Sequence, residues 1–190
     1  MTNALHAGTP QPMSQIVNRE IAFETPWFRL ISKQVAGDSA PYYSLQMQDY
    51  ATVVAFTERE ELVLVRQYRP AVERYTLELP SGHVEAKEAP EESARRELAE
   101  ECGFAAPELE LLGTLISDTG RNENRLWCYL AERVSPLASA FLPEPGVERI
   151  LVPRAKLPEL MMQGKFDHAL HLAALMLVAE RRGPELLTLK

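Results

Sequence analysis

The stretch from Gly82 to Phe104 constrains this chain most, because it predicts a helix with an unusually acidic face. It reads GHVEAKEAPEESARRELAEECGF. Pro90 suits the first turn of a helix, where its missing N–H would have had no partner, and Gly103 can adopt the left-handed conformation that ends helices. Carboxylates recur between them at intervals of three and four residues, which stacks them one turn apart on one face: Glu97, Glu100 and Glu101.

A ridge of like charges repels itself, at a cost of a few tenths of a kcal/mol per pair. A hard divalent cation makes such a cluster favourable instead of repulsive, because Mg²⁺ prefers carboxylate oxygens, water and the phosphate oxygens of a substrate. The alternative is a solvated acidic helix, as most acidic runs are. That alternative explains the helix but not the spacing of Gly82, Glu88 and Gly103.

The spacing of the fixed residues is that of a known motif. Gly82, five residues, Glu88 and seven residues lead to the segment Arg96–Phe104, which reads RELAEECGF. This pattern resembles the Nudix box, with every fixed position filled, and the resemblance covers roughly Ile21 to Arg182. It implies an α/β/α sandwich with a mixed sheet. It also implies hydrolysis of a nucleoside diphosphate linked to another group, with Mg²⁺ as cofactor and Mn²⁺ as a substitute.

The resemblance assigns roles to the residues of the box. Glu97 and Glu101, with Glu100 beside them, are the expected metal ligands and catalytic carboxylates, joined by the main-chain carbonyl of Ser81. Glu88 and Arg96 are expected to form an ion pair that ties the preceding loop to the helix and orients the ligands. Gly82 and Gly103 complete the structural set.

Two upstream segments resemble the ADP-ribose pyrophosphatase branch of the family, namely Arg66–Pro70 (RQYRP) and Leu77–Gly82 (LELPSG). The resemblance implies that Arg69 contacts a substrate phosphate, because a planar guanidinium matches two oxygens at once. Glu78 is expected to serve as the partner of an arginine or of a metal-bound water.

The loop after the next strand departs from that branch. Many ADP-ribose enzymes carry Pro-Gly at this point, whereas this chain has Thr119-Gly120. The loop also carries Arg121 and Arg125, and Arg121 is a candidate for binding a phosphate or sugar. This weakens the case for ADP-ribose in particular and leaves the pyrophosphatase chemistry untouched.

The resemblance to that branch implies that the base that activates water lies on a loop after the box and before the last strand. The candidates are Glu144 and Glu148, which flank Pro145-Gly146. In that branch the N-terminal region supplies the rings that stack on adenine, so the resemblance implies this role for Trp27 and Phe28. Packing in a small β unit is the alternative role. His168 and His171, spaced i, i+3 on the last predicted helix, are interpreted as helix-face residues.

The remaining sequence predicts a small N-terminal β-sheet followed by a larger α/β domain. The expected divisions are a flexible tail over 1–14, a β region over 15–49 and a Nudix domain over 50–190. The N-terminal sheet is expected to pack on the main domain or on a second subunit, which favours a homodimer. Strands are predicted at 21–24, 27–35, 42–48, 51–57, 62–68, 75–79, 109–117, 125–134 and 150–152. Helices are predicted at about 90–102, 157–163 and 168–182, the last capped by Asp167.

Composition narrows the class of protein. The net charge of −7 at pH 7 argues against a nucleic-acid surface, which needs a basic stripe. The chain lacks an apolar run of about 18 residues, so no membrane helix is predicted, and residues 1–14 lack the features of a signal peptide. Cys102 and Cys128 are too few for a disulfide framework, which favours reduced thiols and a cytoplasmic protein.

The function favoured by these features is Mg²⁺-dependent hydrolysis of ADP-ribose to AMP and ribose 5-phosphate. One alternative keeps the chemistry but changes the substrate to GDP-mannose or another nucleoside diphosphate-sugar. A second is a nucleotide-sugar sensor that does not cut, although sensors usually have a damaged box. Isoprenoid diphosphate isomerisation would need a reactive cysteine against a glutamate, and neither Cys102 nor Cys128 has that setting.

Overall fold

A computed structural model describes residues 15–138, 141–142 and 144–184 of the chain. The strands are β1 Ile16–Glu24, β2 Arg29–Val35, β3 Tyr42–Gln46, β4 Tyr50–Thr57, β5 Glu61–Arg69, β6 Arg74–Glu78, β7 Ser81–His83, β8 Phe104–Ala105, β9 Glu110–Leu115, β10 Leu126–Pro136 and β11 Val147–Pro153. The helices are α1 Pro90–Cys102, α2 Leu157–Met162 and α3 Ala169–Arg182, with a short 3-10 helix at Arg154–Lys156. Among the described residues, no helix combines the length and the apolar character needed to cross a lipid bilayer.

The larger of two compact units contains residues 48–117 and 124–184 of the described chain. Its central sheet has the strand order β11-β5-β4-β10-β8, with β6 paired to β5, β7 to β4 and β9 to β10. The β4–β10 pair is parallel and the other pairs are antiparallel. The sheet is therefore mixed, as predicted.

Strand β4 is buried on both faces, and alternate residues enter two separate cores. Ala51, Val53 and Ala55 pack with α1, whereas Val54 and Phe56 pack with α3. A strand covered by helices on both sides reads as a continuous apolar run rather than an alternating one. The structure thus confirms the predicted α/β/α sandwich.

Helix α1 begins and ends where its sequence predicts. Pro90 is its first residue, and the Glu92 carboxylate accepts a hydrogen bond from the Ala89 N–H at 3.0 Å, which satisfies one of the free donors of the first turn. Gly103 ends the helix with φ of 68°, in the left-handed region. Its missing Cβ matters a second time, because an added Cβ would lie 2.4 Å from the ring of Phe141.

The smaller unit contains residues 15–47 and Asp118–Glu123. Its sheet is antiparallel, in the order β1-β2-β3. The loop segment joins it through a parallel bridge between Leu45 and Asn122 and through the Glu123 carboxylate, which pairs with Lys33 at 2.6 Å. The sequence did not reveal this attachment of the 118–123 loop to the N-terminal sheet.

Several boundaries differ from the predicted ones. The structure adds two short strands, β7 and β8, and continues β10 to Pro136, where a loop was predicted. Trp27 lies in a turn before β2 rather than in the strand, because the Thr25 hydroxyl accepts its N–H at 3.1 Å. His168 caps α3 in place of Asp167, whose carboxylate instead pairs with Arg74 at 2.5 Å. The predicted tail, residues 1–14, lies outside the described residues.

Candidate active site

Strand β7 and helix α1 form the two sides of the site. The Ser81 N–H donates a hydrogen bond to the Glu101 carboxylate at 3.0 Å. The preceding Pro80 carbonyl faces β4, so the N–H and C=O of Ser81 face the opposite way, since backbone groups alternate along a strand. The His83 carbonyl faces the same way and accepts from Arg96 at 3.1 Å. The Ser81 carbonyl therefore lies on the edge of β7 that faces α1.

Gly82 leaves room for the carboxylate of Glu97. A Cβ at this position would lie 1.9 Å from Glu97 Oε1. Its backbone is not in the left-handed region, so the requirement is for space and not for a special dihedral angle. The glycine allows a metal-binding candidate to lie directly against the main chain.

Arg96 holds three carboxylates of the motif at once. Its guanidinium binds both oxygens of Glu88, at 2.9 and 3.0 Å. It also donates to Glu97 at 2.6 Å and to Glu100 at 3.2 Å. The hydrogen bonds from Arg96 lower the pKa of Glu88. Arg96 therefore ties the loop before α1 to the acidic face of the helix.

The charged forms of Glu97 and Glu101 are disfavoured in the protein alone. Burial raises the pKa of both carboxyl groups, and that of Glu101 reaches about 8 although the Ser81 N–H opposes the shift. Repulsion from Glu144 adds to the increase at both positions. Glu100 is half-exposed and faces Arg96.

Glu148, the other candidate base, lies on the opposite face of the sheet. It is paired in register with Arg66 of β5, and the two side chains form an exposed ion pair at 3.0 Å. The next residue, Arg149, faces α1 and donates to the Cys102 carbonyl at 2.7 Å. Since side chains alternate along a strand, the structure does not bring Glu148 together with the α1 carboxylates.

Arg69 and Glu78 form a fork of two hydrogen bonds, at 2.8 and 2.7 Å. Glu78 is 2% exposed and also accepts from the Thr76 hydroxyl at 2.6 Å. Burial alone would raise the pKa of Glu78, but the hydrogen bonds from Arg69 and Thr76 lower it to about 2. The hydrogen bonds to Glu78 raise the pKa of Arg69, and the charge of Glu101 adds to the increase, so a cation lies near the acidic site.

The three remaining candidates belong to the smaller unit. Trp27 is 75% exposed and Phe28 is 36% exposed. Arg121 forms an exposed ion pair with Asp118 at 3.1 Å. The side chains of Trp27 and Arg121 are therefore largely open to solvent, whereas that of Phe28 is only partly open.

Sequence reasoning missed the role of His171, which it placed on a helix face. His171 is 2% exposed. One of its ring nitrogens lies within 4.8 Å of a carboxylate oxygen of Glu78 and of a ring nitrogen of His168. Its spacing from buried Ala174, Leu175 and Val178 on α3 is i, i+3, i+4, i+7, a pattern that could have revealed its burial.

Several cavities lie in the larger unit, and two of them matter for the comparison with the motif. One of about 570 Å³ is lined by Glu97, Arg96, Gly82 and His83, among others. A larger one of about 740 Å³ is lined by residues such as Glu58 and includes none of the predicted site residues. The smaller cavity is the relevant one, because the motif lines it.

We expect Gly82→Ala to weaken metal binding while leaving the fold intact. The added methyl group would displace the end of a flexible side chain, Glu97, rather than backbone. Thermal unfolding of the metal-free variant should match the wild type within a few degrees, while its affinity for Mn²⁺ should fall by about tenfold or more. Unchanged Mn²⁺ affinity in a titration followed by electron paramagnetic resonance would contradict the assignment of Glu97.

The fold and the site together define a class of protein: an α/β/α sandwich in which an acidic helix follows a glycine-containing strand. The chain matches the NUDIX domain model over residues 47–173. Because that match covers more than half of the chain, the protein belongs to the NUDIX family.

Relatives support the branch that the upstream segments resemble. The chain is 35% identical over 85 residues to an ADP-ribose pyrophosphatase of Bacillus subtilis (strain 168), covering 45% of this chain and 46% of that protein. It is 30% identical over 122 residues to the ADP compounds hydrolase NudE of Escherichia coli (strain K12), covering 64% of this chain and 65% of that protein. The aligned regions thus span about half to two thirds of these relatives.

A solved structure confirms the fold over almost the whole chain. The crystal structure of an ADP compounds hydrolase superimposes with a TM-score of 0.79, covering 95% of this chain and 100% of that one. The identity is 24%, so this likeness establishes the architecture. The domain model confirms the predicted family, and the relatives support its ADP-ribose pyrophosphatase-like branch.

Proposed function

We propose that this protein is a Mg²⁺-dependent hydrolase of the pyrophosphate bond in a nucleoside diphosphate-sugar, with ADP-ribose as the favoured substrate and AMP and ribose 5-phosphate as products. The observation that carries the proposal is the convergence of Glu97, Glu101 and the Ser81 carbonyl on one edge of β7, beside the cation of Arg69. Relatives named ADP-ribose pyrophosphatase and ADP compounds hydrolase support the substrate class.

The residues present fit a hard divalent cation. Their donor atoms are oxygens, the donors that Mg²⁺ prefers, and the raised pKa values of Glu97 and Glu101 mean that added positive charge would stabilise the pair. Glu97, Glu101 and the Ser81 carbonyl would hold the ion, with Glu100 available beside them; Mn²⁺ would substitute. A bound divalent cation supplies charge neutralisation at the diphosphate oxygens and lowers the pKa of water.

The side chains of the protein would perform the remaining steps. Arg96 keeps Glu97 in place through its 2.6 Å contact, while Arg69 presents donors to the diphosphate. Glu144 would accept the proton of the attacking water as it adds to phosphorus, and the oxygen bridging the two phosphates would leave with the other product. Glu144 is the better candidate base because its charge acts on Glu97 and Glu101, whereas Glu148 faces Arg66.

We assign adenine recognition to Trp27 and Phe28, and contact with a phosphate or sugar to Arg121. The exposure of both rings supports this role, because a stacking platform must be open to its ligand. Alanine substitution of Trp27 should raise KM for ADP-ribose more than it lowers kcat. Equal KM values for the variant and the wild type would exclude a role in binding adenine.

We further propose a homodimer formed through the N-terminal sheet of a cytoplasmic protein. Ile21 and Phe23 of β1 are 55% and 58% exposed, which a three-stranded sheet seldom tolerates alone. Cys102 and Cys128 are free and buried, consistent with a reducing compartment. Sedimentation equilibrium should give a dimer for the full chain and a monomer for Phe23→Glu; a dimer in both would argue against this interface.

Incubation with ADP-ribose and Mg²⁺ tests the function directly. Chromatography should detect AMP and ribose 5-phosphate in equal amounts, and none when EDTA is added. GDP-mannose and other nucleoside diphosphate-sugars in the same assay would reveal a different preferred substrate. Tight binding of ADP-ribose without release of AMP would favour the sensor, and the absence of both binding and cleavage across the panel would refute the proposal.

A further inference from the structure

His171 is a buried polar side chain that the proposed chemistry does not use. It lies in the first turn of α3, yet its ring reaches the turn between β6 and β7. The Leu79 N–H donates to His171 Nδ1 at 3.0 Å. Since Nδ1 accepts, the neutral ring carries its proton on Nε2, which lies 3.4 Å from the Ser81 hydroxyl oxygen.

These contacts close a ring of three hydrogen bonds in which each group has one consistent role. The Leu79 N–H donates to His171 Nδ1, His171 Nε2–H donates to Ser81 Oγ, and the Ser81 hydroxyl donates to the Leu79 carbonyl at 3.0 Å. Burial lowers the pKa of His171 to about 3, so the imidazole is neutral, as this arrangement requires. These three hydrogen bonds thus hold Leu79 and Ser81, the residues on either side of Pro80, in position.

A metal ion shared by Glu78, His168 and His171 is the competing interpretation of this cluster. The two imidazoles are stacked, with centroids 3.8 Å apart and planes 21° from parallel, so their nitrogen lone pairs do not converge on a common point. Glu78 already binds the fork of Arg69 and the Thr76 hydroxyl. Both nitrogens of His171 are likewise engaged. The geometry favours a structural clamp over a second metal centre.

The clamp acts on the segment that supplies two elements of the proposed metal site. The Ser81 N–H holds the Glu101 carboxylate at 3.0 Å, and the Ser81 carbonyl faces the same edge of β7. We propose that His171 is a positioning residue, which fixes the Leu79–Ser81 turn so that the Ser81 carbonyl and Glu101 meet at the metal. This inference rests on the proposed function, because it assumes that the metal binds there.

Three substitutions separate the two hydrogen bonds that the His171 side chain makes. His171→Asn retains a group near the position of Nδ1, His171→Gln retains one near Nε2, and His171→Leu removes both. The matched control is Leu175→Ala, one turn further along α3 and also fully buried. It creates a cavity in the core at a residue with no part in the clamp.

Titration with Mn²⁺ alone, followed by electron paramagnetic resonance, is the decisive readout because it needs no substrate. We expect His171→Leu to weaken Mn²⁺ binding by about 10- to 100-fold, the range for residues that orient metal ligands. His171→Asn should recover part of that loss and should slow exchange of the Leu79 amide hydrogen relative to His171→Leu. Leu175→Ala should lower the unfolding temperature with unchanged Mn²⁺ affinity.

Each other outcome has a definite meaning. Wild-type Mn²⁺ affinity in folded His171→Leu would overturn the proposal, and so would equal weakening in Leu175→Ala, which would indicate general destabilisation. If His171→Leu does not fold, wild-type affinity in both His171→Asn and His171→Gln would overturn it. A wild-type protein that binds Mn²⁺ but cleaves no nucleotide sugar would refute the proposed function and leave this comparison valid. A wild-type protein that does not bind Mn²⁺ would refute both.

Discussion

Glu101→Gln is expected to reduce kcat for ADP-ribose by about a thousandfold or more while leaving the protein folded. The substitution keeps the size of the side chain but removes the charge of a proposed metal ligand, which accepts a hydrogen bond from the Ser81 N–H. Metal ions contribute several kcal/mol of charge stabilisation to such reactions, and each factor of ten in rate corresponds to about 1.4 kcal/mol. Steady-state assays at saturating Mg²⁺ measure the effect. Glu91→Gln, in the exposed first turn of the same helix, is the matched control and should retain wild-type turnover.

The same substitution should stabilise the protein when no metal is present. The pKa of Glu101 is raised from 4.5 in the unfolded chain to about 8 in the folded one. The folded state therefore retains a proton that the unfolded state releases, so its stability falls as the pH rises from about 4.5 to 8. In EDTA at pH 8, Glu101→Gln should unfold at a higher temperature than the wild type. The difference should shrink towards pH 5, and a lower unfolding temperature at pH 8 would contradict the burial of this charge.

Arg69→Met is the second substitution for which a large effect is expected. It would leave the buried Glu78 carboxylate without the two hydrogen bonds that now hold it. Removing one partner of a buried pair costs about 3–5 kcal/mol, and the lower end applies here because Arg69 is partly solvated. The free energy of unfolding should fall by about 3 kcal/mol, or roughly 6–12 °C in unfolding temperature. Arg66→Met, which breaks an exposed pair on the same strand, should cost less than about 1 kcal/mol.

The dependence of this effect on pH gives an independent check. The pKa of Glu78 is lowered from 4.5 to about 2 in the folded protein, so its contribution to stability is complete above pH 4.5 and is lost as the pH falls towards 2.

The double variant Arg69→Met/Glu78→Gln should recover part of the stability lost in Arg69→Met, because no buried charge remains. An additive loss in the double variant would show that the two residues stabilise the fold independently.

The sequence predicted the parts of the fold whose signals are local. Pro90 and Gly103 marked both ends of α1 correctly, and the continuous apolar run of β4 correctly indicated a strand between two helical layers. Strand β7 was not predicted, because its three residues, Ser81 to His83, show no alternation of polar and apolar side chains and pair with β4 only in the tertiary fold. The attachment of the 118–123 loop was not predicted for the same reason, since its partners Leu45 and Ser44 lie 77 and 79 residues earlier in the chain.

The same difference between local and long-range signals applies to the candidate site. The motif identified the acidic residues of α1, because they follow one another at helical spacing. It did not decide between Glu144 and Glu148 as the base, because that choice depends on the register of β11 against β5, which directs Glu148 to Arg66. His171 contacts a turn some 90 residues earlier in the chain, so only its helical spacing was available as a signal.

The most direct test of the account is a crystal structure obtained with Mg²⁺ and an uncleavable analogue of ADP-ribose. We expect density for the cation between the carboxylates of Glu97 and Glu101, with the Ser81 carbonyl among its ligands and the diphosphate oxygens completing its shell. A fully occupied analogue with no cation among these groups, at a saturating Mg²⁺ concentration, would contradict the central claim.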